Sequence, residues 1–259
     1  MFTLTDLQAK KKAGEKISVL TCYDYAMAKI LSSAGIDMLL VGDSLGMVVL
    51  GYDTTRQVTM ADMLRHTEAV VRGNTAALVI ADMPYGSYDS PASAVANARA
   101  FLDIGAHMVK VERGSEIAPV IKALVSADIP VMGHLGLTPQ TAANFKVQGR
   151  EVEAAVKIRT DARLLEQLGV RSLVLESIPA QLAGEITSSL RIPTIGIGAG
   201  SDTDGQVLVL YDMLGLFDDF SPKFVKKYAQ LADRIRQAVT SYSADVRAGK
   251  FPDASHSYL

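Results

Sequence analysis

"AALVIADMPYGSYDSPASAVANARAFLDIGAHMVKVE", residues 76–112, holds the plan of this chain in one stretch. An apolar run, 76–81, stops at Asp82. Ser90 then offers an N-cap, and Pro91 fills the first helical position, a strong helix start. A helical segment reaches Gly105, and a second apolar run, 107–112, follows. Near-continuous apolar runs joined through helices are the pattern of parallel strands covered on both faces.

The same unit recurs outward in both directions. The apolar runs are "ISVLTC" (17–22), "DMLLVG" (37–42), "AALVIA" (76–81), "HMVKVE" (107–112), "DIPVMG" (128–133), "SLVLE" (172–176), "IPTIGIG" (192–198) and "GQVLVL" (205–210), eight in all. Helical segments lie between most of them, among them "YAMAKILSSAG", "TMADMLRHTEAVVRG", "SEIAPVIKALVSAD", "EVEAAVKIRTDARLLEQLG" and "PAQLAGEITSSL". Eight strand–helix units in 259 residues match a (β/α)8 barrel of the TIM type; a doubly wound open sheet is the rival. The expectation is one α/β barrel domain over 1–259, with an N-terminal helix and a C-terminal helical extension over 221–248. In that extension Phe224, Tyr228, Leu231, Ile235 and Val239 fall near one helical stripe, a helix closing the fold or a subunit contact. The long connections 44–59 and 135–150 are candidate binding loops.

Composition narrows the function. Hydrophobic residues make up 49% and charged residues 21%, which suits a globular chain with a sizeable core. The net charge of −2 and the absence of a basic, aromatic-interleaved cluster argue against a nucleic-acid partner. No apolar stretch approaches a membrane span, and the lysine-rich N-terminus lacks the apolar core of a secretory signal. The lone Cys22 cannot form an internal disulfide, so a reducing cytoplasm is the expected location, with Cys22 a small core residue.

The ends of the runs carry the chemistry. Asp43 and Ser44 follow the second run, Asp82 the third, His134 the fifth and Glu176 the sixth, while Lys110 and Glu112 close the fourth. In a barrel these ends meet on one rim, where active sites lie. Strand parity puts Val109 and Val111 on one face and Lys110 and Glu112 on the other, pointing inward. An inward Lys needs a partner or an anionic ligand, so an interior ion pair and a substrate contact are both open. Asp43 and Asp82 could each cap the next helix. Gathered with Glu112, they would instead repel unless a cation held them. Carboxylates without a Cys/His cluster suit Mg2+ or Mn2+, with positions left for water and substrate oxygens. Such an ion beside a Lys suits a 2-oxo acid, polarising its carbonyl and stabilising the enolate. Glu176, from another strand, is then available as the base that takes the proton. His134 reads as a core histidine, a substrate contact or a group tuning Glu112 or Lys110. Tyr23 and Asp24 are balanced between support of the site and a helix start. The glycines of "TIGIGAG" read as a phosphate cradle or as sites of close approach, but they do not fit G-x-G-x-x-G.

Several of these segments resemble the ketopantoate hydroxymethyltransferase family: "TCYDYAMA", "LLVGDSLGMVVLGYDTT", "ADMPYGSY", "VKVERG", "PVMGHLGLTPQ", "LVLESIP" and "IGIGAGSDTDGQVLVLYDMLG". The resemblance covers roughly residues 3–240, in order. It departs at Ser177, where the family leads one to expect Cys. It implies transfer of the one-carbon unit of 5,10-methylenetetrahydrofolate to 3-methyl-2-oxobutanoate, giving 2-dehydropantoate and tetrahydrofolate on the way to pantothenate and coenzyme A. It implies Mg2+ held by Asp43 and Asp82 with Glu112 in the shell. Contacts to the oxo acid would come from Ser44, Lys110, Asp43 and Asp82, and Glu176 would be the proton acceptor. It also implies a homo-oligomer, typically a decamer. The folate rests on the resemblance alone. Two other readings stay open: a lyase or mutase of the phosphoenolpyruvate mutase and isocitrate lyase type, which normally needs a catalytic cysteine in a mobile loop, and a non-catalytic barrel that senses a metabolite.

Overall fold

The computed structural model describes residues 1–142, 146–217 and 222–258. The chain forms two compact units, Met1–Val209 and Leu210–Leu259. In the first, eight parallel strands close on themselves in sequence order: β1 (Ile17–Thr21), β2 (Met38–Val41), β3 (Leu78–Asp82), β4 (Met108–Glu112), β5 (Val131–Gly136), β6 (Ser172–Glu176), β7 (Thr194–Ile197) and β8 (Gly205–Leu208). β8 pairs with β1 through Ile17 opposite Gly205 and Val19 opposite Val207. That closure sets aside the open sheet and bears out the barrel. The helices of this unit are α1 (Leu4–Ala13), α2 (Tyr25–Ser33), the single turn α3 (Leu45–Val48), α4 (Met60–Gly73), α5 (Pro91–Asp103), α6 (Ala118–Ser126), α7 (Val152–Leu168) and α8 (Ala180–Ser189). No described helix is long and apolar enough to cross a membrane.

Strand parity builds the interior. Ile17, Val19, Met38, Leu40, Leu78, Ile80, Met108, Met132, Val174, Ile195, Ile197 and Val207 form one buried cluster. They are alternate residues of their strands, as a barrel requires. Continuing the same parity upward gives Asp82 on β3, Lys110 and Glu112 on β4, His134 on β5 and Glu176 on β6. An apolar floor therefore carries a charged layer at the C-terminal rim. Leu7 of α1 joins the cluster from the opposite end, fully buried. Lys10 and Lys11 of α1 pair with Asp37 and Asp204, each at 2.7 Å, just ahead of β2 and β8. The N-terminal helix is thus a plug, and burial of Leu7 stabilises it by about 1.5–3 kcal/mol.

Three expectations are corrected. The fifth strand starts at Val131 and runs to Gly136, three residues later than the apolar run. Pro130 offers no N–H and uses its carbonyl to accept from Val109, so the ladder begins beyond it. No helix separates β7 from β8: seven residues make the crossover, tied down by Lys16 Nζ donating to the carbonyls of Ser201 and Thr203. Here the glycines serve close approach. A Cβ on Gly196 would lie 2.6 Å from Thr203 Oγ1, and one on Gly200 2.4 Å from Ala180. In the second unit, which holds α9 (Leu210–Met213) and α10 (Leu231–Arg247), the C-terminal helix begins ten residues later than expected. Ser221 lies outside the described residues, and Phe224 and Tyr228 precede the helix. The N–H groups of Tyr228, Leu231 and Ala232 donate to the carbonyls of Met213, Leu214 and Gly215, so they are not available to a helix starting earlier.

Candidate active site

Asp43 stands two residues beyond β2 and is buried. Its N–H donates to Asp82 Oδ2 at 3.0 Å, bridging the ends of neighbouring strands. Asp82 Oδ1 lies 2.9 Å from Lys110 Nζ. Neither aspartate caps a helix: Ser44 holds the N-cap position of α3, and Ser90 caps α5. Asp24 does the capping job instead, accepting from Met27 N at the start of α2. Ser44 makes no capping hydrogen bond, and its Oγ is 3.0 Å from the hydroxyl of buried Tyr23. Gly42 keeps this corner open, since a Cβ there would sit 2.9 Å from Ser44 Oγ and 3.5 Å from Asp82 Oδ2.

The register of β4 on β5 sets Glu112 beside His134. Glu112 Oε1 is 3.3 Å from His134 Nδ1 and 3.9 Å from Lys110 Nζ. Glu112 Oε2 accepts the N–H of Gln140 at 3.0 Å. The other ring nitrogen, His134 Nε2, lies 3.2 Å from Glu176 Oε2, a close charge contact that is off the line of a good hydrogen bond. His134 thus stands between Glu112 and Glu176. Glu176 is the last residue of β6, and the chain turns sharply after it with Ser177 at φ 49°. Its side chain keeps 16% of its exposure where that of Glu112 keeps 1%, so Glu176 is the carboxylate that a ligand entering from the rim can reach.

Burial works on five of these groups. It is the main force pushing the Asp43 carboxyl well above the usual carboxylate range, and the charges of Asp82 and Glu112 push the same way. Burial likewise raises Asp82, opposed by Lys110. Burial also raises Glu112, but hydrogen bonding and charge from His134, with help from Lys110, hold it below its ordinary value. Burial opposes the Lys110 ammonium, yet Asp82, Glu112 and Asp43 together keep it protonated far above neutral pH. Burial and Lys110 oppose charge on His134 too, but Glu112 and Glu176 raise it to about 9. At pH 7 the positive groups are therefore Lys110 and His134, packed among the carboxyls of Asp43, Asp82 and Glu112. A divalent cation at Asp43 and Asp82 would offset the burial that opposes their ionisation.

The donor chemistry fits such an ion. Asp82 Oδ1 accepts no aligned hydrogen bond despite its burial, and all the oxygens on offer are hard. Among the described residues no three His, Cys, Asp or Glu side chains could hold a metal by themselves. Mg2+ does not ask for that: one or two carboxylates suffice, with water and substrate completing the shell.

The expected residues Asp82, Lys110, Glu112 and Glu176 are linked side chain to side chain at the rim, through His134, while Asp43 joins them by its backbone N–H to Asp82 and Ser44 follows it in the chain. Gln140 and Tyr88 were not expected. Gln140 is buried in the connection after β5; it closes the segment "PVMGHLGLTPQ" that carries the resemblance, but neither its residue type nor its spacing gives it a role.

A sequence model of the family described as ketopantoate hydroxymethyltransferase matches residues 1–254. A 3-methyl-2-oxobutanoate hydroxymethyltransferase of Desulfotalea psychrophila is 59% identical over 99% of this chain and 94% of its own length. One of Syntrophus aciditrophicus is 56% identical over 99% and 96%. Among solved structures, a phosphonopyruvate hydrolase in complex with oxalate and Mg2+ superposes with a TM-score of 0.64 at 13% identity, covering 99% of this chain and 93% of that one, a likeness of fold.

Proposed function

The chain belongs to the ketopantoate hydroxymethyltransferase family and acts as a 3-methyl-2-oxobutanoate hydroxymethyltransferase of pantothenate synthesis; we propose that it uses Mg2+ and 5,10-methylenetetrahydrofolate, with Glu176 as its base. Asp43 and Asp82 hold the cation, and Glu112 stands in its shell. The ion's contribution when bound is to polarise the 2-oxo group and acidify the adjacent C–H. Lys110, buried and charged, receives the acid's negative oxygen, and Ser44, backed by Tyr23, donates a hydrogen bond to it. Glu176 takes the C3 proton. The resulting carbon nucleophile forms a C–C bond to the one-carbon unit as its two C–N bonds to the folate break; water supplies the hydroxyl oxygen, and the C3 proton and a water proton end on the two folate nitrogens, so that 2-dehydropantoate and tetrahydrofolate leave.

The observation that carries this reading is the separation of Glu176 from the other acids by His134. His134 turns Nδ1 toward Glu112 and Nε2 toward Glu176, so Glu112 stays with the cation cluster and Glu176 faces the rim. A metabolite sensor would have no use for a base in that place. The mutase-type reading asks for a mobile, reactive cysteine, whereas Cys22 is buried and its thiol is pushed up to about 12, chiefly by burial. The expected oligomer belongs to the same proposal. Ile235, Val239, Tyr242 and Val246 line one stripe of α10, all exposed, which supports a homo-oligomer such as a decamer. The lone, buried thiol supports a reducing cytoplasm.

The test is hydrogen exchange at C3 of 3-methyl-2-oxobutanoate in D2O, without folate. Exchange that needs Mg2+ and Glu176 is expected. An absence of exchange with and without Mg2+ sinks the mechanism.

A further inference from the structure

We infer that Gln140 is a positioning residue for the cation site: it clamps Asp43 with a neutral donor and Glu112 with its backbone N–H, an inference that rests on the proposed function. Gln140 is 1% exposed, and both its backbone and side chain are engaged. Its N–H donates to Glu112 Oε2 at 3.0 Å. Its side-chain Nε2 donates to Asp43 Oδ2 at 2.8 Å and to the Met83 carbonyl at 2.9 Å. Its Oε1 accepts the hydroxyl of Tyr88, and its own carbonyl accepts from Arg56 Nε at 2.8 Å. One residue of the β5 connection therefore grips the chain at the ends of β2, β3 and β4.

The amide has one workable orientation. Asp43 and the Met83 carbonyl only accept, so they require the NH2 group, and Tyr88 supplies the donor for the oxygen. Asp43 Oδ2 is thereby committed, while Oδ1 accepts no hydrogen bond from any described residue. The clamp thus selects which oxygen of Asp43 faces a ligand.

Its neutrality is the second part of the argument. A Lys or Arg would hold Asp43 more strongly but would bring a positive charge to the place where the cation must sit. Lys110 already stands on Asp82. With an amide on Asp43, the carboxylate is oriented and its charge is left for the ion. A residue that merely filled space in the loop would satisfy the loop's own backbone. The side chain of Gln140 instead reaches a proposed ligand 97 positions away in the chain.

The test measures Mn2+ binding to metal-free protein by the loss of the free-ion EPR signal, which does not depend on turnover. Gln140→Met keeps length and removes the clamp. Tyr88→Phe keeps Gln140 and removes the hydroxyl that orients it. Groups that orient metal ligands typically carry ten- to hundred-fold in affinity, so Gln140→Met should weaken Mn2+ about tenfold or more. Tyr88→Phe should weaken it too, but by less than Gln140→Met, since the Tyr88 hydroxyl reaches the ligands only through the Gln140 amide and the Glu112 N–H. The spectrum of bound Mn2+ should broaden in both as the Asp43 carboxylate loosens. Unchanged Mn2+ affinity in both variants, with binding by the unaltered chain, overturns this inference alone. Failure of the unaltered chain to bind Mn2+ overturns the proposed function and this inference with it. If Gln140→Met does not fold by far-UV circular dichroism, Tyr88→Phe decides, and unchanged affinity there overturns the inference.

Discussion

Replace His134 with Gln in the metal-free protein and the pH dependence of stability should change in a defined way. His134 is 3% exposed at its side chain and lies 3.3 Å from Glu112 and 3.2 Å from Glu176. Burial and Lys110 disfavour its proton, but the two carboxylates prevail and raise it from 6.5 to about 9. A group whose folded value is raised contributes stability that is fully present below its unfolded value. That stability is lost as pH rises through the folded value. For His134 the window therefore opens near pH 6.5 and closes above pH 9. One unit is worth about 1.4 kcal/mol, so a shift of this size corresponds to about 3 kcal/mol between pH 6 and pH 10. Urea denaturation at both pH values, in EDTA, should show the unaltered chain losing about 3 kcal/mol more than His134→Gln over that range. Lys110 does not confuse the result, because its raised value keeps it charged throughout and it is present in both proteins. An imidazole NMR titration provides a direct check: of the four His resonances, the one missing in His134→Gln should titrate near 9. Equal pH dependence in the two proteins, or a resonance titrating near the ordinary value, would refute the argument that His134 is the charged spacer between Glu112 and Glu176.

The barrel was legible because its strands are buried on both faces and so interrupt the chain with apolar runs. The sixth run, ending at Glu176, coincides with β6 residue for residue. Parity placed Lys110 and Glu112 inward because alternation depends on backbone geometry, not on partners. The misplaced edges have local causes. Pro130 delays β5, and backbone pairing of Tyr228 to Ala232 with Met213 to Gly215 delays α10. The seventh unit lacks its helix because Gly198 and Gly200, at φ 62° and 81°, let seven residues make the crossover. The site was partly legible for a similar reason: acids at strand ends converge on one rim whatever their side chains touch. Gln140 and Tyr88 were not legible, since their role lies in contacts across the rim between connections with no hydropathic period. His134 could be read only as an ambiguity, because its meaning depends on the carboxylate on each side of it.

The remaining predictions test the plug, the thiol and the base. Leu7→Ala should cost about 2–5 kcal/mol in urea denaturation, since Leu7 is fully buried in the interior cluster; a loss under 1 kcal/mol would mean that α1 does not close the barrel floor. Cys22 should resist Ellman's reagent at pH 8 in the native protein and react at once in urea, because burial pushes its thiol to about 12; rapid native labelling would contradict that burial. Glu176→Gln and Asp43→Ala should separate the base from the cation site. Glu176→Gln keeps Asp43, Asp82 and Lys110 in place, so it should retain Mn2+ and oxo-acid binding while C3 exchange falls about 10²–10⁴-fold, the usual range for a lost general base. Asp43→Ala should lose Mn2+ affinity and exchange together. The contrast is decisive because the two acids come from different strands, β2 and β6, with His134 and Glu112 between them. If Glu176→Gln exchanges normally, the base lies elsewhere, and if it also loses Mn2+, Glu176 is a ligand and the division of the rim into a cation side and a base side is wrong.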